Sequence, residues 1–318
     1  MGKRLKSDIE TAHGPFLAPS PPSQPFFTPP APEPFFSWLM PLIFAADIGI
    51  FVYTMYVNDC PSTAGGMDKC LFSEYLGRLS FQPFKENPLL GPSIPTLKRL
   101  GALSRKMVVE DGEGWRFLSC IWLHAGVIHL ATNMMSLLFI GIQLEQEFGF
   151  LRIGLLYVLS GFGGSLMSAI KAKGQTPMVS VGASGALFGL LGAMLSELIT
   201  NWTIYANKCA ALMTLVMVIG LNMAVGFLPH VDSSAHIGGF LSGFLLGFIL
   251  LVRPQYGYVS RRHIPPGFDT KHRKPKHKCF QYLLWVIALV SLLLGYSMGL
   301  DKLYGGHTLQ NNPVQSIT

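Results

Sequence analysis

Long apolar stretches separated by more polar connections dominate the chain. A helix that crosses a bilayer needs about 20 mainly apolar residues, and seven stretches approach that length. They are residues 38–56, 121–144, 153–170, 183–200, 210–228, 235–252 and 282–298. Backbone inside a bilayer must satisfy its own hydrogen bonds, which a helix does and an open sheet does not. The pattern therefore predicts an all-α fold, a polytopic membrane helix bundle.

Composition and charge agree with a membrane protein. Half of the 318 residues are hydrophobic and only 13% are charged, a combination outside the range of ordinary soluble domains. The net charge of +7 does not indicate a nucleic-acid partner, because the basic residues are concentrated in connecting segments. Placing the short basic segment 253–279 in the cytosol, by the bias of basic loops towards that side, puts the N-terminus there too. The first connection and the C-terminal tail then face outward.

The segments outside the spans complete the predicted organisation. Nine prolines between Pro15 and Pro34 predict a disordered cytosolic tail. This tail covers residues 1–37, one membrane domain covers 38–299, and a C-terminal tail covers 300–318. The membrane domain includes an outward-facing connection, 60–114, a basic cytosolic connection, 253–279, and an extra C-terminal helix, 280–299. Cys60 and Cys70 both fall in the outward-facing connection and are candidates for a disulfide. The five cysteines have no metal-ligand spacing, and we expect neither a metal nor an organic cofactor.

Polar side chains inside the spans are the candidate functional residues, because burying them in lipid is costly. His129 and Asn133 lie in the second predicted span, Ser184 opens the fourth, and His236 opens the sixth. With the orientation above, the even-numbered spans all run inward from the outer face. Three separate stretches of sequence therefore deliver these groups to the same outer half of the bilayer.

Ser184 and His236 form a candidate nucleophile and base. Ser184 stands in the sequence Gly182-Ala183-Ser184-Gly185, where the glycines permit a tight turn and leave the hydroxyl uncovered. The nucleophile elbow of soluble hydrolases is excluded because it requires glycine at position 186, which is Ala186. A serine hydroxyl needs a base to take its proton, and His236 has the chemistry for that role.

Rows of small residues indicate how these two side chains meet. Gly185 and Gly189 are one turn apart in the fourth span, and Gly239 and Gly243 are one turn apart in the sixth. Such rows let two helices pack backbone to backbone, which a hydrogen bond of about 3 Å between serine and histidine requires. Glycine rows also occur in helix bundles without active sites, and a lone serine usually bonds to its own helix. The hypothesis depends on the joint pattern.

His129 and Asn133 form a candidate oxyanion site. Their spacing of four residues puts them on one helix face, where both can donate to one oxygen. His124, near the outer end of the same span, is a candidate to shape a water-filled cavity. Asp47 in the first span has no predicted catalytic role. It could pair with another helix or face a cavity, and a structural use is favoured.

These residues resemble the motifs of the rhomboid family of intramembrane serine proteases. The similar motifs are Trp115-Arg116, His124-xxxx-His129-xxx-Asn133, Gly182-Ala183-Ser184-Gly185 and Ala235-His236-Ile237-Gly238-Gly239. The resemblance implies a six-helix core, with Ser184 as nucleophile and His236 as base. It also implies an oxyanion held by His129, Asn133 and the backbone N–H of Ser184. No acidic third partner is expected, and Asp232 is not assigned as one.

The resemblance extends to location and substrate. An extra helix after the core resembles the six-plus-one arrangement of eukaryotic secretory-pathway rhomboids, which implies the Golgi or another endomembrane. Substrates would be the transmembrane segments of single-span membrane proteins. A catalytically silent rhomboid-like protein that binds client helices stays open as an alternative. A transporter is disfavoured because the sequence has no evident inverted repeat.

Overall fold

A computed structural model of the chain describes residues 35–63, 70–172, 179–202, 207–225, 232–253, 277 and 279–311. Within these ranges the regular structure is helical apart from two isolated β-bridges. The all-α prediction is confirmed. Most of the predicted N-terminal tail, most of the basic connection and the end of the C-terminal tail lie outside the described residues.

Seven long helices correspond to the seven predicted spans. They are α1 Leu39–Asn58, α2 Val127–Phe148, α3 Phe150–Lys171, α4 Ser184–Thr200, α5 Lys208–Val225, α6 Ser233–Leu250 and α7 Cys279–Asn311. Five of them are long and apolar enough to cross a membrane, and the apolar parts of α4 and α5 are shorter. The chain is therefore a multi-pass membrane protein.

Two predicted boundaries differ from the structure by six residues or more. The second span was predicted to begin at residue 121, but α2 begins at Val127 because Cys120–Trp122 forms a 3-10 turn and Leu123 is extended. Gly126 then packs so closely on the carbonyl of Leu89 that a side chain there would overlap it. α7 continues to Asn311, well beyond the predicted end of the last span.

A cap of short helices, residues 59–63 and 70–126, follows α1. Its elements are Cys60–Thr63, Ser73–Leu76, Gly77–Leu79, Ile94–Leu100, Arg105–Val109, Arg116–Ser119 and Cys120–Trp122. Cys60 and Cys70 are joined by a disulfide. The buried Arg116 donates to the carbonyls of Lys98 and Ala102 at 2.7 and 2.9 Å. Arg116 therefore ties the cap together internally.

The core lies where α3, α4 and α6 meet. Ala186, Leu190 and Ala193 of α4 are fully buried there. α7 packs beside α3 and α6, and the Tyr296 hydroxyl of α7 donates to the carbonyl of Leu159 in α3 at 2.8 Å. Most of the helix that carries Ser184 is thus shielded from lipid by its neighbours.

At the end of the bundle away from the cap, Glu145 fixes the start of α1. Its carboxylate accepts from the backbone N–H groups of Trp38, Leu39 and Met40 at 2.8–3.0 Å. The Ser37 hydroxyl adds a fourth hydrogen bond at 2.6 Å. First-turn N–H groups have no partner within their own helix, so this carboxylate replaces the missing acceptors.

Candidate active site

The segment before α4 is held so that the helix begins at Ser184. Ser180 exchanges two backbone hydrogen bonds of 3.0 Å with Leu103 of the cap. The N–H of Gly182 donates to the carbonyl of Cys120 at 2.9 Å. Gly182 has a φ of +121°, which residues other than glycine rarely adopt. The turn and the cap together therefore set the position of the Ser184 hydroxyl.

The small-residue rows of α4 and α6 interlock. A Cβ added at Gly239 would overlap the carbonyl oxygen of Gly185, and one added at Gly243 would overlap that of Gly189. A Cβ at Gly189 would in turn lie 3.2 Å from the carbonyl oxygen of Gly239. The two backbones are in direct contact along two helical turns, which carries His236 towards Ser184.

Sequence reasoning missed that α3 joins this contact through glycines of its own. A Cβ at Gly164 would lie 2.7 Å from the carbonyl oxygen of Ala235 and 3.3 Å from the Cα of Gly185. The sequence Gly161-x-Gly163-Gly164 carries the signal, because it is another small-residue row. Three helices, rather than two, therefore meet beside Ser184 and His236.

Ser184 and His236 are brought into hydrogen-bond contact. His236 Nε2 lies 3.0 Å from Ser184 Oγ, and the histidine is 5% exposed. His236 Nδ1 has no hydrogen-bond partner among the described residues. With Nδ1 carrying the ring hydrogen, Nε2 has its lone pair directed at the hydroxyl, which is the tautomer a base requires.

Phe188 is a second residue of the site that sequence reasoning missed. Its ring stacks on the imidazole of His236, with centroids 4.2 Å apart and planes 23° apart. Phe188 lies one turn after Ser184 on α4, so a spacing of four from the candidate serine was the available signal. The stack fixes the plane of the imidazole against the helix that carries the serine.

His129 and Asn133 converge on the turn before Ser184. A Cβ at Gly182 would lie 2.8 Å from Nε2 of His129 and 3.4 Å from Nδ2 of Asn133. The N–H of Ala125 donates to His129 Nδ1 at 3.4 Å, so a neutral His129 carries its hydrogen on Nε2. The Nδ2 of Asn133 is buried and has no partner among the described residues. Two donors therefore face the same space beside Ser184.

His124 lies beside this pair but not on the helix that was predicted to carry it. Its ring centroid is 5.4 Å from that of His129. The residue precedes α2 and stands in the extended segment after the 3-10 turn. Its side chain is fully buried, and neither ring nitrogen has a partner among the described residues.

Two acidic residues near the bundle core do not contact the imidazole of His236. Asp232 precedes α6 and accepts from the N–H groups of Ser234 and Ala235 at 3.1 and 3.2 Å. Asp47 of α1 is fully buried, and neither carboxylate oxygen has a hydrogen-bond partner among the described residues. Within the described part of the chain, no three His, Cys, Asp or Glu side chains lie together in a way that could hold a metal ion.

The fold and this geometry define a class of protein: a polytopic helical membrane protein with a serine–histidine pair between two closely packed helices. The family model of the Rhomboid domain matches residues 111–253. RHOMBOID-like protein 5 of Arabidopsis thaliana is 61% identical over the full length of both chains. RHOMBOID-like protein 1 of the same plant is 58% identical over 87% of this chain and 69% of its own length. The chain belongs to the rhomboid family, as its motifs predicted.

Two further relatives have names that refer to activity. The Rhomboid protease GluP of Bacillus subtilis (strain 168) is 34% identical over 52% of this chain and 32% of its own length. Inactive RHOMBOID-like protein 8 of Arabidopsis thaliana is 46% identical over 81% of this chain and 72% of its own length. Membership of the family therefore does not establish the activity of an individual member, which depends on the residues of its own site.

Proposed function

We propose that this chain is an intramembrane serine endopeptidase that cleaves the transmembrane segments of single-span membrane proteins. The observation that carries the proposal is the 3.0 Å contact between His236 Nε2 and Ser184 Oγ. A serine is a poor nucleophile without such a base. The similarity to a bacterial rhomboid protease supports the same reaction class.

The first half of the reaction forms an acyl-enzyme. His236 Nε2 takes the proton of Ser184 Oγ as this oxygen attacks the carbonyl carbon of the scissile peptide bond. The negative charge on the carbonyl oxygen is stabilised by donors from His129, Asn133 and the backbone N–H of Ser184. As the first residue of α4, Ser184 has an N–H without an acceptor in the helix. The C–N bond then breaks, and His236 gives its proton to the leaving amine.

The second half releases the product. His236 takes a proton from water, whose oxygen attacks the ester carbonyl, and returns that proton to Ser184 Oγ when the ester bond breaks. Water must therefore reach a buried site. His124 has two unpartnered ring nitrogens beside His129, which supports its predicted role in lining a hydrated cavity.

The substrate must present an extended backbone to Ser184. A transmembrane helix hides its carbonyls in its own hydrogen bonds, so it must unwind locally before attack. Gly and Pro weaken helices most. We therefore propose that substrates carry such residues near the membrane face on which Ser184 lies.

For location, we propose the Golgi or another secretory-pathway membrane, with the N-terminus cytosolic and the C-terminus lumenal. The basic connection 253–279 supports this orientation. The position of α7 after the core supports the compartment. A tag at each terminus, tested for protease protection in sealed membranes, decides the orientation, and a cytosolic C-terminus would contradict it.

The activity is tested by co-expressing the chain with single-span membrane proteins that carry Gly or Pro near either end of the span. Wild type is expected to produce a cleaved fragment, and Ser184→Ala and His236→Ala are expected to abolish it. Ser297→Ala is a matched control, because among the described residues the Ser297 hydroxyl bonds only to the carbonyl of Leu294 in its own helix. Undiminished cleavage by Ser184→Ala would contradict the mechanism.

Labelling with a fluorophosphonate distinguishes the protease from the catalytically silent alternative. A reactive Ser184 is expected to be labelled in wild type and not in the Ser184→Ala and His236→Ala proteins. A folded wild type that resists labelling and cleaves none of the substrates would instead support a role in binding client helices; one relative is named as inactive.

A further inference from the structure

The first turn of α6 is organised by Asp232, which lies four residues before His236. Asp232 Oδ1 accepts from the N–H groups of Ser234 and Ala235. The N–H of His236 donates to the backbone carbonyl of Asp232 at 3.3 Å. The side chain that caps the helix therefore belongs to the same residue that receives the hydrogen bond from His236.

The other oxygen of Asp232 connects this turn to α3. The hydroxyl of Ser168, in the last turn of α3, donates a hydrogen bond to Asp232 Oδ2. The end of α3 is itself tied to the cap, because Arg105 Nη1 donates to the carbonyl of Ala169 at 2.9 Å. The start of α6 is thus bonded to the end of α3, and the end of α3 is in turn bonded to the cap.

We propose that Asp232 is a positioning residue for His236, acting through the backbone of α6 and held in turn by Ser168. This proposal rests on the proposed protease function. Asp232 does not bond the imidazole, since His236 Nδ1 has no partner among the described residues. It determines where the first turn of α6 lies relative to α3 and α4, and therefore the approach of Nε2 to Ser184 Oγ.

The proposal predicts different effects for three substitutions at the contact between Asp232 and Ser168. Asp232→Ala removes both the cap and the acceptor for Ser168. Asp232→Asn keeps an oxygen for the N–H groups, and its amide can still exchange a hydrogen bond with Ser168. Ser168→Ala keeps the cap and removes only the connection to α3, so it tests the proposal even where Asp232→Ala does not fold.

The experiment measures the rate constant for fluorophosphonate labelling, kcat and KM for a single-span substrate, and thermal unfolding, all with the full chain. Asp232→Ala and Ser168→Ala are expected to lower the labelling rate constant and kcat about tenfold at unchanged KM. These rates are measured at a temperature below the melting temperature of each variant. Asp232→Asn is expected to retain the wild-type rates. Asp301→Ala, at an exposed position on α7, and Ser297→Ala are the matched controls and are expected to change neither rate.

Three results would overturn the proposal. Wild-type labelling and kcat in Ser168→Ala and Asp232→Ala, with or without a lower melting temperature, would leave these residues a structural role alone. A decrease in the labelling rate constant and kcat in Asp232→Asn as large as in Asp232→Ala would assign the effect to the negative charge of Asp232 rather than to its hydrogen bonds. A wild type that is itself neither labelled nor active would overturn the proposed protease function, and the positioning role with it.

Discussion

Replacing Gly239 by alanine tests whether backbone contact between α4 and α6 determines the distance between serine and histidine. The new Cβ would overlap the carbonyl oxygen of Gly185 and lie 2.7 Å from its carbonyl carbon. Non-bonded carbon atoms are most stable about 3.5–4.0 Å apart. The obstructing atoms are backbone, which has no alternative rotamer, so the helices themselves must separate by about 1 Å.

The expected loss of activity follows from that displacement. The distance between His236 Nε2 and Ser184 Oγ is 3.0 Å, and adding about 1 Å takes the pair beyond hydrogen-bond range. A misplacement of this size at a catalytic group costs about 100-fold in rate. Overpacking also destabilises the fold by about 1–3 kcal/mol, so the melting temperature of Gly239→Ala is expected to fall.

The assay compares cleavage and fluorophosphonate labelling of Gly239→Ala with those of two matched alanine variants. A Cβ at Gly220 of α5 or Gly295 of α7 would meet nothing within 4 Å, so these variants control for a glycine-to-alanine change in a membrane helix. Both are expected to keep wild-type rates. A folded Gly239→Ala protein with wild-type rates would refute the reasoning, because the α4–α6 contact would then not set the serine–histidine distance.

Three further predictions concern single side chains. Asn133→Ala removes one donor from the proposed oxyanion site and is expected to lower kcat about 100- to 1,000-fold at similar KM and melting temperature; an unchanged kcat would exclude that role. Glu145→Ala leaves three N–H groups and the Ser37 hydroxyl without their acceptor and is expected to destabilise the protein by about 3 kcal/mol in unfolding experiments; an unchanged unfolding midpoint would contradict it. Asp47→Leu removes a buried carboxyl that has no partner among the described residues and is expected to raise stability by about 1–3 kcal/mol, whereas a loss of stability would indicate a bound water or ion.

The helices and the grouping of the candidate residues were predictable because lipid imposes simple rules. Each long apolar stretch had to be a helix, and alternating direction gave the starts of α2, α4 and α6 a common depth. The rows containing Gly185 and Gly239 then identified which helices touch. The catalytic roles of Ser184 and His236 stay predictions until activity is measured.

Other features depend on contacts that no local pattern encodes. α2 begins at Val127 rather than at residue 121 because Gly126 packs on Leu89, far away in sequence. Hydropathy does not detect such a contact, since residues 121–123 are as apolar as the helix that follows. The bond between Ser168 and Asp232 likewise joins residues 64 apart in sequence.

The orientation of His236 depends on helix packing rather than on a third side chain behind the ring. Nδ1 has no partner among the described residues, so the plane and direction of the imidazole are set by its stack on Phe188 and its contact with Ser184. Both of those residues belong to α4, whereas His236 belongs to α6. A change in the glycine contact and a change at Phe188 therefore act on the same geometry. Their effects on rate should not add. Gly239→Ala already displaces the imidazole from Ser184, so Phe188→Leu in the same protein is expected to lower the rate little further.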